Sequence, residues 1–333
     1  MYQEIMCDFG NIRDAYRLAH RGKSDAPEVV EFDKQRIYNL HKLRKKLIEK
    51  RWDEIFKYYS FVVTEPKQRV IDALTFEGRI VQHILCDRIL RPYYDKRLVI
   101  ENAACRRGKG TVYAMQLLRK GMLRAARSGG DVYILKIDVK KYFPSIDRDV
   151  LKKLVSGFPD AEIRELLYYI IDRSPGGGGI PIGNQSSQWF ALLYLDAIDR
   201  IIKTREGVKS YVRYMDDLIV IGGKETLIGL LRDLSVFADN ERKLRFNAKT
   251  QIMPFHKGIS FLGWRFLPKG ERIVMRVDGG KRRFRVRKIR EIYAKFRKGV
   301  TTFGEFCDEL RSTVVNLRLG DTYAFRLRYN LGR

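Results

Sequence analysis

Two adjacent aspartates interrupt an otherwise apolar stretch, "YVRYMDDLIVIGG", at residues 211–223. Neighbouring side chains on a β-strand point to opposite faces, so Asp216 and Asp217 can serve one site only where the chain turns. The stretch therefore predicts a β-hairpin with its tip at Met215-Asp216. Burying unpaired carboxylates is unfavourable, and a bound divalent cation removes that penalty. An ordinary turn is the alternative, because aspartate is common in turns.

A second apolar stretch, "VYILKID", also ends in an aspartate, Asp138. Two strands that each run apolar and end in aspartate would present three carboxylates at one edge of a sheet. Mg²⁺ prefers oxygen ligands and commonly joins one or two carboxylates to substrate phosphates. The two stretches together predict a magnesium site formed by Asp138, Asp216 and Asp217.

The charge of the chain narrows the choice of partner. Its 333 residues include 66 Lys and Arg against 40 Asp and Glu, a formal net charge of +26. Such an excess favours a polyanion, and the aromatic content favours nucleic acid. We expect no membrane partner, because no apolar run approaches 18 residues and no signal peptide is recognisable. The four cysteines are scattered without a C-x-x-C pair, which argues for a reducing cytosol and against a zinc finger.

The order of periodic segments predicts an α+β fold with helical layers before and after a central sheet. The expected helices share apolar residues at helical spacing. They lie at 1–60, 77–98, after the basic loop up to about residue 127, 148–173, 185–204, 224–240 and 281–298, with Asn184 as an N-cap. The expected strands lie at 58–74 around a Glu65-Pro66-Lys67 turn, at 132–137, in the acidic hairpin, and in "FNAKTQIMPFHKGISFLGWRF".

Six sequence blocks carry a resemblance to a known family. Residues 214–217, "YMDD", resemble the YxDD box of reverse transcriptases, and "KIDVKKYFPSID" resembles the first catalytic motif of the same palm. "GIPIGNQSSQWFALLYLD" resembles the next block, and "KGISFLGWRF" resembles the primer-grip hairpin. "TEPKQRVI" and "ACRRGKGT" resemble the fingers motifs. Six blocks in the family's order are far more specific than one short motif.

The resemblance implies a right-hand polymerase with fingers, a palm built on an antiparallel sheet, and a helical thumb. The implied boundaries are a helical extension at 1–57, fingers at 58–130, a palm at 131–268 that includes part of the fingers at 148–182, and a basic thumb at 269–333.

Two details resemble one branch of the family, the prokaryotic reverse transcriptases of diversity-generating retroelements. Many reverse transcriptases carry glutamine before the glycine of the fourth block, whereas this chain has Ile182 before Gly183, followed by "NQSSQ". The block "CRRGKGT" also fits that branch. The resemblance implies error-prone copying of an RNA into cDNA, a small basic accessory protein that forms a barrel, and a cytoplasmic enzyme of bacterial, archaeal or phage origin. Anti-phage defence reverse transcriptases look alike and are the alternative.

The resemblance also implies the roles of the acidic residues. Asp138 and Asp216 would ligate two Mg²⁺ ions, with Mn²⁺ as an alternative, and Asp217 would support them. The backbone carbonyl of Val139 would add a ligand. The metals would activate the primer hydroxyl and neutralise the triphosphate.

Nucleotide contacts are implied for residues in three of the blocks and for a lysine in "FNAKTQ". The set comprises Lys67, Arg69, Phe143, Ile182, Gly183 and Lys249. Phe143 would exclude a ribose 2′-hydroxyl and so select dNTPs; the alternative is that Phe143 is core and Tyr142 faces the site. Ile182 cannot hydrogen-bond a nucleotide, which we expect to lower fidelity. Solvated lysines are the alternative for Lys67 and Lys249.

Template and primer contacts are implied for a further set. The set comprises Arg106, Arg107, Lys109, Gln188, Tyr214, Met215, Gly263 and Trp264. Trp264 as plain core is the alternative reading of that residue. The helix at 281–298 would track the RNA template and its cDNA duplex with its arginines, and a net +26 predicts steep salt dependence.

Other functions remain open at this point. An RNA-templated RNA polymerase or a template-independent nucleotidyltransferase would use the same palm, and Phe143 argues against ribonucleotides. A non-catalytic nucleic-acid-binding protein is the alternative of another class, and the intact set of Asp138, Asp216 and Asp217 argues against it.

Overall fold

The computed structural model describes residues 1–64, 68–329 and 331. Its strands are β1 (Tyr58–Val63), β2 (Arg69–Leu74), β3 (Val132–Asp138), β4 (Val208–Tyr214), β5 (Asp217–Gly223), β6 (Gln251–Pro254), β7 (Ile259–Phe261), β8 (Trp264–Lys269) and β9 (Arg272–Val277). The two strands expected within 58–74, the strand at 132–137 and the acidic hairpin are confirmed, whereas the expected Glu65-Pro66-Lys67 turn lies outside the described residues. The expected strand character of 247–250 is wrong, because Phe246 makes only an isolated bridge and β6 begins at Gln251.

The helices are α1 (Phe9–His20), α2 (Pro27–Lys34), α3 (Arg36–Ile48), α4 (Trp52–Ile55), α5 (Phe76–Ile84), α6 (Arg91–Tyr94), α7 (Thr111–Arg127), α8 (Tyr142–Ser145), α9 (Arg148–Val155), α10 (Ala161–Asp172), α11 (Gln185–Tyr194), α12 (Asp196–Thr204), α13 (Lys224–Arg242), α14 (Gly279–Arg297), α15 (Phe303–Val314) and α16 (Tyr323–Arg328). Short π-helical or 3₁₀ turns occupy Tyr2–Met6, Leu85–Leu90, Phe255–Lys257 and Val315–Leu319. The single helix expected at 148–173 is two helices, because Asp160 caps a new one by accepting the Ile163 N–H at 2.9 Å.

The chain forms two compact units. The first unit comprises Met1–Arg107, Asp138–Thr204 and Leu231–Asn247, and the second comprises Gly108–Ile137, Arg205–Leu230 and Ala248–Arg333. The sequence blocks that resemble catalytic motifs fall in both units.

The first unit is largely helical and carries the β1–β2 hairpin. The two strands pair antiparallel, with Tyr58 opposite Leu74 and Val63 opposite Arg69. All of β1 after Tyr58 is exposed. At the other end of the hairpin, Leu74 is buried and packs close to Gly78 of α5. The hairpin therefore projects from a buried base.

The second unit contains the central antiparallel sheet, with strand order β4-β5-β3-β6. Helix α7 covers β4 closely, because the side chain of Ser210 occupies the space that a Cβ at Gly121 would need. A second sheet has the order β7-β8-β9. Beside it, Ile289 of α14 and Leu317 form a small core with Leu331.

Within the described residues, no helix is long and apolar enough to cross a membrane.

Candidate active site

The acidic hairpin turns at Met215 and Asp216. Tyr214 pairs with Asp217 across the strands, which leaves a two-residue turn. Met215 has a φ of 56°, a left-handed conformation that costs a non-glycine residue roughly 1–2 kcal/mol. The fully buried Arg213 donates a hydrogen bond from Nη1 to the Met215 carbonyl at 3.1 Å. This bond holds the turn that carries both aspartates, and the predicted hairpin tip is confirmed.

Lys136 links the acidic hairpin to other strands of the second unit. Its Nζ lies 3.4 Å from Asp217 Oδ1 and donates a hydrogen bond to the Ser260 carbonyl at 3.0 Å. Asp138 follows Lys136 by two residues and therefore shares its face of the strand. β3 neighbours β5 in the sheet, and the Lys136 contact joins β3 to the start of β5 within the second unit.

The backbone just after β3 is held within the first unit. The Asp138 carbonyl accepts the Asn247 N–H at 2.7 Å, and the Lys140 N–H bonds to the Arg245 carbonyl at 3.0 Å. Val139 lies buried between them in an antiparallel bridge with Phe246. These bonds fix the direction in which Asp138 leaves the strand.

Phe143 and Tyr142 occupy different environments. Tyr142 is buried and its hydroxyl donates a hydrogen bond to the Ala191 carbonyl of α11. Phe143 is half-buried, and its ring meets that of Tyr142 edge-on, with centroids 5.7 Å apart. The structure therefore rejects the alternative in which Tyr142 faces the site, and Phe143 stays the candidate for contact with the sugar.

The segment at Ile182 and Gly183 runs along the edge of β2. The Ile182 carbonyl accepts the Asp72 N–H at 3.2 Å. Gly183 has a φ of +125°, and a Cβ there would lie 2.9 Å from Cγ2 of Ile71. Glycine is therefore required, because both the backbone conformation and the close approach exclude a side chain.

The start of α11 is capped differently from the sequence expectation. Asn184 occupies the N-cap position, but its side chain makes no capping bond and instead donates to the Tyr58 hydroxyl at 3.0 Å. The Ser186 N–H is satisfied by the buried Gln82 of α5, at 2.8 Å. Burial raises the pKa of Tyr58 to about 12. Gln188 lies exposed on α11.

Two predicted nucleotide contacts are exposed. Arg69 begins β2 with its side chain in solvent, and Lys249 lies exposed between α13 and β6. Lys67 lies outside the described residues. The roles of all three stay predictions.

Arg106 corrects the prediction of a template-phosphate contact. Its side chain is 6% exposed and pairs with Asp95 at 2.5 Å. The rest of the guanidinium donates to the carbonyls of Asp95, Val99 and Asn102 at 2.6, 2.5 and 3.1 Å. These bonds use four of the five N–H donors of a buried side chain, so a phosphate would find few donors within reach. Its neighbour Arg107 is exposed and Lys109 half-buried.

Trp264 is likewise part of the core, the alternative raised for it from the sequence. It is 3% exposed, and its ring fills the space above Gly320. Gly263 is partly exposed in the β7–β8 turn, with a φ of +83°, and its carbonyl accepts the Asp278 N–H at 3.1 Å. Only Gly263 of this pair remains a candidate for contact with a primer.

The sequence of residues 63–266 matches the family model described as "Reverse transcriptase (RNA-dependent DNA polymerase)". This match spans more than half of the 333-residue chain. The chain belongs to the reverse transcriptase family. No curated protein matches the sequence significantly.

Solved telomerase structures are among those similar to this chain. An apo telomerase from Candida tropicalis lacking its C-terminal domain has 15% identity and a TM-score of 0.50, covering 68% of this chain and 55% of that chain. The full apo enzyme has 13% identity and a TM-score of 0.49, covering 73% and 54%. Candida albicans telomerase with a fragment of telomeric RNA has 13% identity and a TM-score of 0.49, covering 66% and 45%. This chain thus spans about half the length of these structures. The family match and the structure with a TM-score of 0.50 confirm the expected right-hand polymerase fold.

Reverse transcriptases use divalent metal ions, so the acidic residues of this chain must be able to supply metal ligands. Within residues 1–64, 68–329 and 331, no three His, Cys, Asp or Glu side chains are grouped closely enough to hold a metal by themselves. The donors nevertheless fit Mg²⁺, which takes one or two carboxylates and completes its shell with water and phosphate oxygens. The ammonium of Lys136 beside Asp217 also marks this turn as a position that attracts positive charge.

Two residues that contact elements of the candidate site, Lys136 and Arg148, were missed from the sequence. Lys136 could have been identified from the sequence, since it is a lone cation in the apolar run "VYILKID". Arg148, which binds the glycine-rich loop at 174–179, could not have been identified in this way. A helix that begins with arginine is ordinary, and its bonds go to carbonyls that no side-chain pattern reveals.

Proposed function

We propose that this chain is an RNA-directed DNA polymerase that extends a primer with dNTPs on an RNA template. The observation that carries the proposal is the contact between Lys136 and Asp217 within the second unit. Lys136 stands two residues before Asp138 on β3, which neighbours β5 in the sheet. Neighbouring strands that carry these aspartates would supply the carboxylates that nucleotidyl transfer requires. Membership in the reverse transcriptase family supports the same reaction.

The acidic residues would hold two Mg²⁺ ions, or Mn²⁺ in their place. Asp138 and Asp216 would be the principal ligands, with Asp217 and the Val139 carbonyl in support. When bound, the ions supply charge neutralisation for the triphosphate and a lowered pKa for the primer hydroxyl. In this scheme Arg213 holds the turn, and Lys136 keeps Asp217 oriented in the absence of metal.

The remaining residues would bind the nucleotide. Arg69 and Lys67 suit the triphosphate, since guanidinium and ammonium groups bind phosphate oxygens. The half-buried Phe143 ring would collide with a ribose 2′-hydroxyl. Ile182 and Gly183, held against β2, would contact the base pair, with Lys249 near the leaving pyrophosphate.

The template and primer would lie along basic and aromatic surfaces. Arg107, Lys109 and Gln188 would contact the template, and Tyr214, Met215 and Gly263 the primer end. Helix α14 adds a groove of about 870 Å³ lined by Arg282, Arg283, Arg287 and Arg290. Such a surface suits a duplex of template and cDNA.

At a finer level, we propose an error-prone enzyme of a diversity-generating retroelement. Support comes from the Ile182 side chain, which cannot hydrogen-bond the nascent base pair and so would discriminate less against a wrong pair, and from the sequence blocks noted above. A small basic accessory protein would associate through shared RNA, because direct contact between two basic surfaces is repulsive. The four free cysteines suit a cytoplasmic enzyme of bacterial, archaeal or phage origin.

The test is primer extension on an RNA template with Mg²⁺ and dNTPs, comparing the native protein with Asp216→Ala and sequencing the products. We expect cDNA from the native protein and none from the variant. Errors at template adenines would support the retroelement assignment, whereas accurate copying would contradict it. RNA binding without cDNA synthesis, even in the complex purified from its host, would establish the non-catalytic alternative. Sequencing the RNA in that complex separates a retroelement template from that of a defence enzyme.

A further inference from the structure

Arg148 gathers the glycine-rich loop at 174–179 of the first unit. It is the first residue of α9, and its Nε donates to the Gly179 carbonyl at 2.9 Å. Its Nη2 donates to the Ser174 carbonyl at 2.7 Å. Further carbonyls within reach of the same guanidinium are those of Asp172, Pro175 and Gly176, at 3.2, 3.3 and 3.2 Å. One rigid, planar group therefore contacts both ends of the loop.

The far end of the loop rests on the backbone of Phe143. The Ile180 N–H bonds to the Phe143 carbonyl at 3.0 Å. Gly179 has a φ of +70°, and a Cβ there would lie 2.5 Å from both the Phe143 carbonyl oxygen and the Cα of Pro144. These are backbone atoms, so a side chain at Gly179 would displace the main chain of Phe143 itself.

The neighbouring Gly178 differs from Gly179 in exposure, in the space around a Cβ and in backbone conformation. Gly178 is exposed, and nothing lies within 4 Å of a Cβ built on it. Its φ lies outside the positive region that disfavours side chains. A run of four chemically identical residues therefore contains one that touches Phe143 and one that touches nothing.

We propose that Arg148 and Gly179 are positioning residues that set the place of the Phe143 ring and thereby the selection of dNTPs over rNTPs. This inference rests on the proposed function, in which Phe143 excludes the 2′-hydroxyl. Tyr142, on the other side of Phe143, is anchored by its bond to Ala191. The contact with the loop is therefore the side from which the position of Phe143 can be adjusted.

The experiment measures kcat/KM for a dNTP and for the matching rNTP on one RNA template and primer. Phe143→Ala should lower the preference for dNTP about 100-fold. Gly179→Ala and Arg148→Gln should each lower it about tenfold, since a hydrophobic contact displaced by a fraction of an ångström excludes less well. Gly178→Ala is the matched control and should keep the native preference.

A double variant separates positioning from general damage. In the Phe143→Ala background, Gly179→Ala should lower the preference no further, because the ring that it displaces is absent. An equal loss of activity toward both sugars, or effects that add, would overturn the inference. So would a native preference in both Gly179→Ala and Arg148→Gln.

Failure of the proposed function gives a different pattern. An unchanged preference in Phe143→Ala would remove Phe143 as the selecting residue, and no cDNA from the native protein would remove the polymerase itself. Hydrogen exchange at the Ile180 amide measures, without any catalysis, how firmly the loop at 174–179 is held against Phe143. We expect faster exchange in Arg148→Gln and native exchange in Gly178→Ala. Native exchange in both variants would show that Arg148 does not hold the loop. Arg148→Gln also serves where Gly179→Ala does not fold.

Discussion

The candidate nucleotide-binding segments of the first unit and the acidic hairpin of the second unit are held in place by different interactions. In the first, main-chain bonds and glycines set the geometry: Ile182 is fixed by the Asp72 N–H, and Gly179 lies against the backbone of Phe143. In the second, charged side chains do so: Arg213 binds the turn, and Lys136 binds Asp217.

The two modes suit different chemical tasks. A surface that excludes a hydroxyl must be stiff, and closely packed backbone changes position little when nucleotides enter and leave. A site that binds cations needs counter-charges that can yield when the ions arrive, and a partly exposed lysine can do so. We therefore expect steric substitutions to alter selectivity in the first region, and charge substitutions to alter rate in the second.

The largest effect should come from the acidic turn. Asp216→Asn keeps the size of the side chain but removes a metal ligand worth several kcal/mol, so cDNA synthesis should fall by about 10³-fold. The measurement is single-nucleotide primer extension at saturating dNTP. Asp308→Asn, at a side chain 81% exposed, is the control and should be fully active. Near-native rates in Asp216→Asn would remove the two-metal scheme.

Gly320→Ala tests whether steric packing also matters in the second unit. A Cβ there would overlap the Trp264 ring and lie 2.8 Å from the Met275 carbonyl. Overpacking of this kind should lower the free energy of unfolding by about 1–3 kcal/mol, measured by denaturant titration. Gly304→Ala, in α15 with nothing within 4 Å of its Cβ, should be neutral or stabilising. Equal stability of the two variants would contradict the packing account.

The sequence predicted the region held by side chains better than the region held by backbone. The hairpin tip at Met215-Asp216 follows from two aspartates inside an apolar run, and it was found as expected. The contact of Gly179 with Phe143 depends on the positions of backbone carbonyls, which residue types do not indicate. The hairpin tip could be predicted from a local sequence pattern, whereas the contact of Gly179 could be predicted only from the tertiary structure.

The two corrected residues fail for the same physical reason. Arg106 lies in a basic loop and was expected to bind phosphate, but its guanidinium donates to the Asp95 carboxylate and to carbonyls up to 11 residues away in the chain. Trp264 looked like a primer contact, but Gly320 opens a space for its ring 56 residues later. Burial of a polar or aromatic side chain is decided by its distant partners, and sequence spacing does not contain them.

Lys136 offers the sharpest comparison within the charged region. Lys136→Met should slow cDNA synthesis about tenfold, because the residue orients a candidate metal ligand without being one. Lys136→Arg should recover most of the rate, since it restores a cation within reach of Asp217. Lys209→Met removes an exposed lysine whose Nζ bonds to Ser128 at 2.7 Å, and it should behave as native. If both methionine variants slowed the enzyme equally, a general effect of charge would replace the specific contact.

The smallest effect lies away from both regions, in the capping box that begins α15. Thr302 Oγ1 accepts the Glu305 N–H at 3.3 Å, and the Glu305 carboxylate accepts the Thr302 N–H at 2.8 Å. Thr302→Ala should lower the free energy of unfolding by about 1 kcal/mol. Thr301→Ala, one residue outside the box, is the control.

The pH dependence of the stability difference between the native protein and Thr302→Ala shows whether the capping box causes that difference. The backbone hydrogen bond from Thr302 lowers the pKa of Glu305 below its usual value of 4.5. A depressed carboxylate pKa adds stability above pH 4.5, and that stability is lost as the pH falls through the lower pKa of the folded state. The bonds of the Glu305 carboxylate to Thr302 therefore weaken in acid, and the difference in the free energy of unfolding between native protein and Thr302→Ala should become smaller. A gap that stays constant from neutral pH to below the folded-state pKa would assign the effect of Thr302 to helix propensity instead of to its bonds with Glu305.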